Sequence, residues 1–193
     1  YALIGDKDKA IFANTPMGEL GATSVERLAD LDLNVDGSVE GDVTLKMTGS
    51  IAHDSRHAYD GLGDEGLANE LLKMFEEAYP GTSISDARMK NLTDLEKPLV
   101  LKCRIKIPQY ADTTGTRIFV KPSFFGRLEK AKFTEETREH DIYFRYPAKT
   151  TDTVIISPPE GYILESPKAP ESIGNAGFAA HQIQIGRLST GDI

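Results

Sequence analysis

One cysteine stands in 193 residues, and a single thiol excludes an internal disulfide or a cysteine-based metal cluster. It leaves the compartment open, because many exported bacterial proteins also lack disulfides. No apolar run approaches the roughly 20 residues a helix needs to cross a bilayer. No basic-then-apolar leader precedes residue 20, so neither an anchor nor an export signal is expected in this stretch. Basic residues are outnumbered by acidic ones, 22 to 30, for a formal net charge of -8. They are scattered along the chain with no stripe, a pattern that repels a phosphate backbone and argues against a nucleic-acid partner. Internal repeats, low-complexity tracts and obvious linkers are also missing.

What is present is an ordinary globular composition, 39% hydrophobic, enough for one real core or two small ones. Apolar residues fall on odd positions at Leu31, Leu33 and Val35 and again at Val43, Leu45 and Met47, with polar residues between them. That period of two reads as a hairpin whose turn is Asp36-Gly37. In "LVLKCRIKI", residues 99–107, Leu99, Leu101, Cys103, Ile105 and Ile107 share one face while Lys102, Arg104 and Lys106 share the other. Further strands are read at "TRIFV", "HDIYFRYP", "DTVIIS", "YILES" and "AAHQIQIGR". One helix is read over 67–79, where Leu67, Leu71, Met74, Phe75 and Ala78 form a stripe that Pro80-Gly81 ends. The expected fold is mainly β, an antiparallel β-sandwich with one packed amphipathic helix. The expected domain spans 26–193, with 1–25 the end of a preceding segment or edge strands. Both ends of the chain read as cut from a longer protein.

Four constellations invite chemistry. Cys103, His140 and Asp141 follow the order of some thiol hydrolases, but neighbours on a strand point to opposite faces, so His140 and Asp141 cannot serve one reacting atom. Cys103 sits mid-strand on the apolar face, whereas an activated thiolate usually needs a helix start or a neighbouring cation on its own side, and it is expected to be buried. "GLGDEG" at 61–66 has dinucleotide-type glycine spacing, yet no apolar strand precedes it and Asp64 and Glu65 would oppose a pyrophosphate. A turn with Asp64 capping the helix is the reading. His53, Asp54 and His57 have a spacing that shares a helical face, but Arg56 beside them and the lack of an assignable third ligand argue against a metal. "KPSFFGR" places Phe124 and Phe125 in a loop between Lys121 and Arg127, either as an interaction anchor or as a plug for the edge of the sandwich. No catalytic, cofactor-binding or metal-binding residue is assigned.

Three stretches carry a family resemblance: "LNVDGSVEGDVTLKMTGSIAHDSR", "KPLVLKCRIKIPQYADTTGTRIFVKPSFF" and "TREHDIYFRYPAKTTDTVIISPPEGYILESPKAP". The most specific parts are the G-x-R-[IL]-F-V-x-P-x-F-F run at 115–125 and the Y-F-R-Y-P…D-T-V-x-I…P-E-G-Y run at 143–162. Over residues 26–190 the chain resembles the region that follows the transglutaminase-like core in bacterial multidomain proteins of unknown function. The resemblance implies an extracytoplasmic setting, in the periplasm or at the surface of a Gram-negative bacterium. It also implies that the catalytic Cys, His and Asp lie in an upstream papain-like domain of the same polypeptide, whose motifs do not map onto this chain. Cys103 therefore inherits no nucleophile's role. The implied function is a non-catalytic accessory β module that braces the core or mediates an interaction. The alternative is a free-standing peptide- or glycan-binding module working through the loop at 121–127.

Overall fold

The computed structural model describes residues 2–5, 10–14, 19, 21–129, 137, 141, 144–165, 169, 171–175 and 179–186. By internal contacts the chain divides into two compact units, 1–159 and 160–193. The fold class is mainly β, as the alternating patterns imply.

The first unit opens with a hairpin of β1 (Ala2–Gly5) and β2 (Ala10–Ala13). There follow β3 (Ser24–Leu33), β4 (Val39–Met47), α1 (Gly49–Tyr59), α2 (Asp64–Glu76), β5 (Ser83–Lys90) and β6 (Leu99–Ile107). The short strands β7 (Asp112–Thr114) and β8 (Arg117–Phe119) pair with each other, a single 3-10 turn covers Phe125–Leu128, and β9 is Lys149–Ser157. The main sheet runs in the order β5-β6-β4-β3-β9. Its first three pairings are antiparallel, but β9 lies parallel to β3, with Ser24 opposite Lys149 and Leu31 opposite Ile156. The sheet is thus mixed where a wholly antiparallel one was expected. The cause is that the chain returns to β3 from a distant segment and not through a tight turn.

The period of two sets the layers. Ala29, Leu31, Leu33, Val43, Leu45, Met47, Leu99, Leu101, Cys103, Ile105 and Ile107 all point to one face and are buried. Helices, not a second large sheet, cover that face: Ala52 of α1 and Leu67, Leu71 and Phe75 of α2 join the same cluster. The opposite face carries charge, with Arg104 reaching Glu40 at 3.5 Å and Lys46 reaching Glu26 at 2.9 Å. The β3–β4 turn is fixed by Asp36, whose carboxylate accepts the Ser38 N–H at 2.9 Å and hydroxyl at 2.7 Å. Those bonds hold the Asp36 carboxyl below its ordinary range. Gly37 takes φ +83° there, and a Cβ would strike the Ala111 carbonyl. Val35, expected inside the strand, lies past its end and is 65% exposed.

The helix read at 67–79 is α2, starting three residues earlier and ending at Glu76. Gly63, not Asp64, occupies the N-cap; Asp64 is the first helical residue and pairs with Arg88 at 3.1 Å. Its charge still suits the positive end of the helix dipole. A second helix, α1, was not expected. Its inward stripe contains Arg56 where a hydrophobe would have signalled amphipathicity. The Arg56 side chain is buried and donates to the carbonyls of Asn91 at 3.3 Å, Asp94 at 2.8 Å and Lys97 at 2.6 Å, fastening the β5–β6 loop to α1. Among the described residues, no helix is long and apolar enough to cross a membrane.

The second unit contains the hairpin of β10 (Ile173–Asn175) and β11 (Ala179–His181), with Gly174 opposite Ala180. The strand expected at "YILES" is absent over 162–165, where Ile163 is 83% exposed, and among the described residues "AAHQIQIGR" is strand only over Ala179–His181. The strand read at "HDIYFRYP" lies partly outside the described residues; Asp141 and 144–147 are not strand.

Candidate functional site

Cys103 is the first position to test, since a thiol enzyme would need it. It sits mid-strand in β6, opposite Val43 of β4, and is 4% exposed. Burial first, then the charge of Asp42, pushes the thiol up to about 12, the reverse of what a nucleophile needs. His140, the candidate base, lies outside the described residues.

The loop at 121–127 comes next. Phe124 and Phe125 are 0% and 1% exposed, so of the two alternatives for the pair the structure takes packing. The physical reason is a nest of rings. Phe124 stacks on Tyr79 at 5.4 Å between centroids and meets Phe75 at 5.6 Å, Tyr110 at 6.0 Å and, edge on, Phe125 at 4.9 Å. Two hydroxyls hold the backbone in place: Tyr79 donates to the Phe124 carbonyl and Tyr110 to the Lys121 carbonyl, each at 2.7 Å. Burial raises both tyrosines, Tyr79 to about 12 despite the nearby Arg127 charge. Arg127 lies over the Tyr79 ring at 4.8 Å, and Arg27 over Phe125 at 5.1 Å. Arg27 also forks onto Asp152 at 2.6 and 2.8 Å and reaches Glu129 at 2.6 Å, tying β3, β9 and the end of the 3-10 turn together. Lys121 and Arg127 are the exposed cations left on this loop.

The His53, Asp54, His57 stretch is where the missed helix matters. Because α1 forms, the two histidines do share a face, with ring centroids 5.0 Å apart and planes at 90°. Among the described residues no three His, Cys, Asp or Glu side chains converge as a metal site. Instead a shallow cleft of about 510 Å³ opens at the start of α1, lined by Gly49, Ser50, His53, Asp54, Arg145 and Tyr146. The Tyr146 hydroxyl donates to Asp54 Oδ2 at 3.3 Å, and Arg145 stands 4.0 Å from the same oxygen. Burial first, then the Asp54 charge, raises the Tyr146 hydroxyl and keeps it a donor. Sequence reading missed this cleft because its halves are 92 residues apart.

The β1–β2 hairpin also presents apolar side chains to solvent. Leu3 pairs with Phe12 on one face, Ile4 with Ile11 on the other, and all four side chains are exposed, Phe12 by 76%.

Residues 116–187 match the model of a family described as a Domain of Unknown Function with solved-structure structure, DUF3858. The match takes in β8, the 3-10 turn and β9 of the first unit and β10 and β11 of the second. No curated protein and no solved structure matches the chain.

Proposed function

We infer that this chain is a non-catalytic accessory module that braces or presents a catalytic partner. The observation that carries this reading is the β1–β2 hairpin. A two-stranded ribbon alone is marginal in water, and one with large apolar side chains on both faces belongs between two covering layers. A buried, protonated thiol in Cys103 supports the non-catalytic half of the reading. The resemblance at 115–125 and 143–162 supplies the partner, a transglutaminase-like domain of the same polypeptide in an extracytoplasmic setting.

Two experiments test it. The isolated chain should neither hydrolyse amides nor transfer acyl groups, and a thiol reagent should modify Cys103 only after unfolding; rapid labelling or turnover of the native chain would sink the reading. Calorimetry against the transglutaminase-like domain encoded beside it should show binding that Phe12→Ser weakens tenfold or more. If no such domain is encoded there, the assignment of the partner fails.

A further inference from the structure

We propose that the cleft at the start of α1 is a saccharide site, with Asp54, Arg145 and Tyr146 as its principal contacts. This rests on the lining alone and not on the accessory reading above. The cleft is shallow and open, about 510 Å³, so a ligand lies along it and stays partly solvated, which suits a hydroxyl-rich one. The six lining residues include no aliphatic side chain, so the cleft offers no pocket for an apolar peptide anchor or an acyl chain. What it offers is an alternation of donors and acceptors: guanidinium N–H groups, a carboxylate, an imidazole and two hydroxyls. A sugar's neighbouring hydroxyls each donate and accept. Planar groups such as the Asp54 carboxylate and the Arg145 guanidinium can engage two of them at once. Tyr146 is half-buried and steadied by its bond to Asp54, so its ring is an amphipathic wall against which the C–H face of a pyranose can lie.

A simple anion is the competing ligand, since the first turn of α1 and Arg145 both favour negative charge. Two observations oppose it. Asp54 brings a carboxylate into the same cleft, 4.0 Å from Arg145, and the Ser50 N–H already donates to the Thr23 hydroxyl at 3.2 Å. A neutral, hydroxyl-rich ligand meets neither obstacle.

The test is a titration of the full, isotopically labelled chain with maltotriose, chitotriose and trigalacturonate, followed by amide resonances. Saturable shifts centred on Ser50, His53, Asp54, Arg145 and Tyr146 with at least one neutral sugar are expected. Asp54→Ala and Arg145→Ala, both at exposed positions, should each weaken that binding tenfold or more while leaving the melting temperature unchanged. The absence of saturable shifts with all three sugars, or shifts centred elsewhere, overturns the proposal. So does binding of inorganic phosphate that Asp54→Asn tightens, which would make the cleft an anion site.

Discussion

The 3-10 turn at Phe125–Leu128 and the β1–β2 hairpin hold similar side chains in opposite circumstances. By composition the turn is a surface loop, with Pro122, Ser123 and Gly126 around two phenylalanines between cations, yet both rings are wholly buried. The hairpin has regular strands and strong β formers, yet Leu3, Ile4, Ile11 and Phe12 face solvent. Residue type sets how much a side chain gains from leaving water; whether it does so depends on a second layer within reach. The turn has one, because Tyr79 and Tyr110 meet it with rings and also bind its carbonyls.

The strongest way to break the comparison is Phe124→Ala. Removing a ring packed on four others should cost about 3–5 kcal/mol, read by urea denaturation; a loss below about 1 kcal/mol would mean that the nest closes over the gap. Arg56→Ala sharpens it, since here a loop is held by charge-assisted hydrogen bonds in place of apolar contact. We expect a loss of about 2–3 kcal/mol, with Arg56→Lys recovering little because an ammonium cannot span the three carbonyls.

High pH attacks the buried side selectively. Cys103 and Tyr79 have folded values near 12 against ordinary values of 9.0 and 10.0, so their protonated forms contribute full stability below the ordinary values. That contribution is lost from about pH 9 for Cys103 and from about pH 10 for Tyr79, in each case toward 12, at about 1.4 kcal/mol per pH unit. Denaturation midpoints across this window should fall steadily, and Cys103→Ala should delay the onset by about one pH unit. A flat profile would show these groups to be solvated. The smallest effect belongs to the hairpin: Phe12→Ser or Ile4→Ser should change the stability of the isolated chain by no more than about 0.5 kcal/mol. A cost above 1.5 kcal/mol would show that the hairpin packs on its own chain.

The same contrast explains what could be read in the sequence. Where one sheet face is buried, alternation survives in the residues, so β6, the end of β3, the second half of β4 and the Asp36-Gly37 turn are legible. The α2 stripe at Leu67, Leu71 and Phe75 was legible for the same reason, although Met74, placed in that stripe, is 40% exposed. Elements that depend on distant partners left no local trace. Arg56 hid α1 because its partners are carbonyls 35 to 41 residues away. The parallel pairing of β9 has no hairpin signal, and the burial of Phe124 depends on Tyr79, 45 residues back. The cleft of Asp54 and Tyr146 belongs to the same class.

The parallel β3–β9 pairing also sets an order of assembly. A nascent chain leaving the ribosome can pair β3, β4, β5 and β6 as an antiparallel sheet and dock both helices before β9 has emerged. During that interval the outer edge of β3 has its N–H and C=O groups unpaired, and it stays so until β9 arrives opposite it. The Arg27 fork onto Asp152 and Glu129 can close only then, so the last strand synthesised for this sheet locks the first.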